Sequence, residues 1–177
     1  MENSFYYFFS AVPQVLGGVL ALFGVFVVFK IQTFKSQLLG IGNAVILKIQ
    51  DKINVSEIIN NEDKQTTLTN IQTYIEKSDV EGLSEIMKLL NNTQVTIFRD
   101  NYQIVHLLLK DLITKTIKAS IYTALVVFFS LSLIPFGTFF LNHILLLYFL
   151  FAVVILAIGG CFYLFVSILK IALNTGK

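Results

Sequence analysis

Apolar positions fall into three long charge-free runs and, between the first and second, a set of shorter stripes at helical spacing. The first run, Phe5 to Phe29 (FYYFFSAVPQVLGGVLALFGVFVVF), carries no charged side chain. At the rise of an α-helix it comes to about 37 Å, more than a hydrocarbon core of about 30 Å. It reads as a transmembrane helix. A cleavable signal peptide would need a basic leader and a short apolar core, whereas Glu2 is the one charge before Phe5 and the run is long. Two more runs, Ala119 to Leu141 and His143 to Leu169, are separated only by Asn142. They predict a tight transmembrane hairpin. Pro135 and Gly137 stand where the first of the two should break or kink, and Asn142 is placed to cap the second.

The stretch between the runs is mixed in charge and helically patterned. Leu38, Ile41, Val45, Ile49 and Ile53 continue the first helix past the lipid, with Gly40 and Gly42 as weak points. Asn54 to Thr67 is polar and Asn-rich, which predicts a loop with a short helical piece around Ser56 to Ile59. A helix follows with Leu68, Ile71 and Ile75 on one face. The next opens at Ser78, whose spacing to Glu81 is that of a capping box, buries Val80, Leu83, Met87 and Leu90, and ends at Asn91 and Asn92. From about Gln94 a long helix carries Val95, Phe98, Tyr102, Val105, Leu109 and Leu112 and runs without a break into the second span. No strand or repeat is evident.

Composition agrees with that pattern. The 177 residues are 55% hydrophobic and 14% charged, with 17 Phe and a mean hydropathy of +0.75, outside the usual soluble range. The expected fold class is an all-α membrane protein: an N-terminal transmembrane helix (1–29), a cytoplasmic helical bundle (30–118), a transmembrane hairpin (119–172) and a cytoplasmic tail (173–177). Lys30, Lys35, Lys110, Lys115, Lys118, Lys170 and Lys177 all flank one side of the spans, while the N-terminus and the 134–143 turn have no Lys or Arg. The positive-inside rule then puts the N-terminus outside and the middle region and C-terminus in the cytoplasm. The net charge of +2 is explained by membrane flanks and gives no nucleic-acid signal.

Chemistry is sparse in the spans. Their interiors lack Asp, Glu, Lys and Arg, which disfavours a proton relay or active transport. Cys161 is the one cysteine, so no disulfide within the chain or four-ligand metal site can form from it. No cofactor is expected, and His143 at the outer turn reads as interfacial. Asn3, Ser10, Gly17 and Gly24 recur every seventh position of the first span, with Gln14 and Ala21 along the same seam. Small residues permit close helix packing in lipid. Gln14 adds a second reading, since an amide at membrane depth needs a partner or water. Ser10, Gln14, Gly17, Ala21 and Gly24 are the candidate pore-lining residues.

The remaining candidate is Arg99 and His106 in RDNYQIVH. Seven residues are close to two helical turns, so both project from one face, beside Gln103 and Lys110. This Arg-x6-His spacing is similar to the widest form of the motif in HEPN ribonucleases, where His can act in proton transfer and Arg can stabilise phosphate charge. Asp100 stands where those nucleases commonly place Asn, His, Gln or Lys, and an acid there repels phosphate. A solvated helical face is the plain alternative.

Size, layout and this divergent motif together resemble the membrane accessory proteins encoded beside the RNA-guided RNA-cleaving effector of type VI-B CRISPR systems. The resemblance implies a homo-oligomeric inner-membrane pore in bacterial antiphage defence, acting with the guided ribonuclease by permeabilising or depolarising the membrane. It leaves Arg99 and His106 a role that is structural or catalytic. Three other readings compete: a metal-independent HEPN-like ribonuclease that binds RNA directly, an ion-motive stator, whose layout fits although its acidic membrane residue is missing, and a structural membrane scaffold.

Overall fold

The computed structural model describes residues 2–52, 64–90 and 93–173. All regular structure there is helical: α1 (Glu2–Lys52), α2 (Lys64–Glu76), α3 (Val80–Leu89), α4 (Thr93–Leu133), a 3-10 turn (Ile134–Phe136), α5 (Gly137–Asn142) and α6 (Ile144–Leu173). Three helical stretches are long and apolar enough to cross a membrane, within Asn3–Gln50, Val95–Asn142 and Ile144–Leu173. The chain divides into two compact units, Met1–Val28 with Leu112–Leu173, and Phe29–Asp111. α1 and α4 each contribute to both.

The first unit is built on three stripes. Buried positions in it include Phe5, Phe9, Val12, Leu16 and Val27 of α1, Ala119, Thr123, Val126, Ser130 and Leu133 of α4, and Leu147, Leu150, Val154, Cys161, Phe165 and Ile168 of α6. The three-and-four spacing of these stripes is the one that suits helices packed at shallow angles. Aromatic rings key α1 to the hairpin: Phe5 stacks on Phe140 with centroids 6.2 Å apart, Phe8 meets Phe151 edge-on at 4.7 Å, and Phe23 meets Phe165 at 4.9 Å. On α4 the stripe is mostly small, and its two hydroxyls are satisfied, one within α4 and one on α6. Ser130 donates to the Val126 carbonyl at 2.8 Å and Thr123 to Cys161 Sγ at 3.7 Å. The opposite faces expose Leu22 (77%), Phe128 (73%) and Leu156 (76%), which in water would be costly and in lipid is not.

The expected break in the second apolar run is real. α4 stops at Leu133, Pro135 sits in the 3-10 turn, and α5 follows from Gly137. Pro135 has no N–H to extend the helix, and its ring obstructs the preceding turn. A Cβ on Gly137 would lie 2.7 Å from the Tyr6 hydroxyl and 3.0 Å from Phe5 Cε1, so glycine lets α1 approach this corner. The cap of α6 needs correcting. α5 includes Asn142, and His143 is the junction residue: its carbonyl accepts the Leu147 amide at 3.0 Å. Pro13 lies inside the continuous α1.

In the second unit α1 passes Gly40 and Gly42 without interruption. Gly42 is a point of close approach, since a Cβ there would lie 3.0 Å from Leu83 Cδ2 and 3.1 Å from Ile75 Cδ1. Leu38, Val45 and Ile49 are fully buried, as the stripe predicts. Ile53 and the expected helical piece at 56–59 lie outside the described residues. The predicted loop is shorter than Asn54 to Thr67, because α2 starts at Lys64 and buries Thr67 completely. α2 ends in a Schellman arrangement: Asp79 N–H donates to the Tyr74 carbonyl at 2.8 Å and Ser78 N–H to Ile75 at 3.0 Å, with Ser78 left-handed at φ 52°. Ser78 therefore closes α2 instead of capping α3. The cap is Asp79, whose carboxylate accepts the Gly82 amide at 3.0 Å.

Candidate functional site

The small and polar seam of α1 is turned away from the core of its own unit. Ser10, Gln14, Gly17 and Ala21 are exposed and Gly24 is half-buried, and a Cβ on Gly17, Gly18 or Gly24 would meet nothing within 4 Å. Intramolecular packing thus uses the Phe-rich stripe, and the seam is left for whatever surrounds the chain. Ser10 satisfies its hydroxyl on the Tyr7 carbonyl at 3.2 Å. Gln14 is different: its amide has no hydrogen-bond partner among the described residues. In hydrocarbon such an amide is costly without water or a partner.

Arg99 and His106 share a face of α4, and that face is turned to α3. Arg99 Nη1 donates to the Leu90 carbonyl at 3.3 Å, satisfying an acceptor just past the C-terminal end of α3, while its Nε pairs with Asp100 at 3.3 Å. His106 reaches the other end, with Nε2 3.3 Å from Glu81 Oε1 in the first turn, and its ring stacks on Tyr102 with centroids 6.1 Å apart. Two helical turns separate the pair by about 10 Å along α4, and each is engaged with its own end of α3. Within one chain they do not converge on a common point where a phosphate could sit.

Between them lies the residue that periodicity marked only as core. Tyr102 is fully buried, and its hydroxyl donates to the Val80 carbonyl at 2.7 Å. Burial, and then the Glu81 and Asp79 carboxylates, push its phenol well above the ordinary tyrosine range. Arg99, Tyr102 and His106 form a row of polar fasteners from α4 to Leu90, Val80 and Glu81 at the two ends of α3. In the sequence, Tyr102 was indistinguishable from another core aromatic, because the carbonyl it meets is 22 residues away. No group of three or more His, Cys, Asp or Glu among the described residues is placed to hold a metal ion. Comparison of the chain with protein-family models, with curated proteins and with solved structures finds no match.

Proposed function

We propose that this chain assembles with copies of itself into a multi-pass pore of the bacterial inner membrane, with the Ser10, Gln14, Gly17, Ala21 and Gly24 face of the first span toward the conduit. The observation that supports this reading is Gln14, an exposed amide without a hydrogen-bond partner among the described residues, in a span whose packing face lies elsewhere. Ringing several first spans about an axis gives that amide water and leaves the Leu22 side to lipid. A conduit lined by hydroxyl, amide and glycine without charge discriminates weakly between ions. The Lys distribution favours an N-terminus outside and the Phe29–Asp111 unit in the cytoplasm. A place in antiphage defence beside an RNA-guided ribonuclease rests on the family resemblance alone, and in that setting the pore depolarises the membrane. The ribonuclease reading is weaker, because Arg99 and His106 are both occupied in holding α3.

The test is ion flux through liposomes carrying the purified full-length protein, at matched oligomer content. Wild type should conduct, Gln14→Leu should lower flux by dewetting the narrow part, and Leu22→Ala should conduct like wild type. A wild-type protein that oligomerises without conducting would be a scaffold, and Gln14→Leu flux equal to wild type would assign the seam to helix packing.

A further inference from the structure

We draw no further inference here: the strongest candidate, the groove of about 430 Å³ between the α1 and α4 segments of the helical unit, lined by Gln37, Gly40, Ile41, Ala44, Phe98 and Asn101, is an open, unpartnered face of mixed polar and apolar lining, and nothing in the structure shows what covers it.

Discussion

Replacing Tyr102 by Phe removes one hydroxyl and keeps the ring that fills the space beneath α3. The lost bond is short, at 2.7 Å, and buried, but its acceptor is not orphaned. Val80 is the first residue of α3, and the helical repeat gives its carbonyl the Ser84 amide as well. The cost is therefore the net worth of one hydrogen bond, about 1 kcal/mol, and not the larger penalty of an unsatisfied buried group. That corresponds to a roughly fivefold rise in the local opening equilibrium of α3. Tyr102→Ala also empties the ring volume and should cost about 3–5 kcal/mol. Arg99→Ala gives up a longer bond at a partly exposed site, and His106→Ala gives up a pairing to a Glu81 side chain that is 78% exposed; each should cost about 1 kcal/mol or less. The assay is amide hydrogen exchange of peptides covering 80–90 in the purified full-length protein in detergent, paired with incubation of each variant with RNA. Exchange should quicken in the order Tyr102→Ala, then Tyr102→Phe, then the other two, with no RNA cleavage at any stage. Unchanged exchange in Tyr102→Phe, or robust wild-type cleavage that His106→Ala abolishes, would refute the bracing role.

Ser78→Gly should stabilise the helical unit by about 1 kcal/mol, because glycine takes the left-handed position at the end of α2 without a Cβ penalty; urea melts would show it as a higher midpoint. Gly82→Ala should lower that midpoint, since its Cβ would run into the Tyr74 ring. Gly137→Leu should loosen the first unit, seen as faster proteolysis in detergent, and Tyr6→Ala should relieve part of the effect by removing the ring it strikes. Alkaline pH should destabilise the α3 contact: with the folded phenol of Tyr102 held above its unfolded value, that contribution is full below about pH 10 and declines as the pH rises beyond it, whereas Tyr102→Phe should lose that part of the decline. For topology, Asn3→Cys in a Cys161→Ala background should label from outside intact cells and Asn61→Cys should not.

Helical stripes were legible because period alone specifies them. Leu38, Val45 and Ile49, then Ile71, then Leu83, Met87 and Leu90, are buried where a 3.6-residue repeat puts them. Boundaries were less so, for reasons of competing local chemistry. Ser78 and Asp79 are both good capping residues, and sequence spacing favoured Ser78 through Glu81; the backbone chose Asp79 because the end of α2 required a left-handed residue one position earlier. At the 134–143 turn Asn142 looked like the cap of α6, but Pro135 ends α4 early enough for a separate short helix to absorb it. The seam of α1 was visible as a pattern of small residues, yet its direction was not, since Phe and Gly are both credible packing faces in lipid. The Phe ladder onto Phe140, Phe151 and Phe165 decided which face went inward.

That choice has a physical consequence for assembly. Lipid tails provide no hydrophobic drive between spans, so helices associate through close packing and polar pairing. Inside one chain, α4 supplies the small face through Ala119, Thr123, Val126 and Ser130, and α1 supplies bulk through its Phe residues. α1 keeps a second small face unused, with Gly17, Gly18 and Gly24 open. Two such faces in direct contact would bring backbones near each other and leave each Gln14 amide to donate to and accept from its neighbours' amides across the helices. Opening the faces onto a water-filled axis satisfies all the amides at once, at the cost of the direct glycine contacts. The two arrangements differ in where Gln14 finds its hydrogen bonds, which is why a leucine there separates a conduit from a packed bundle.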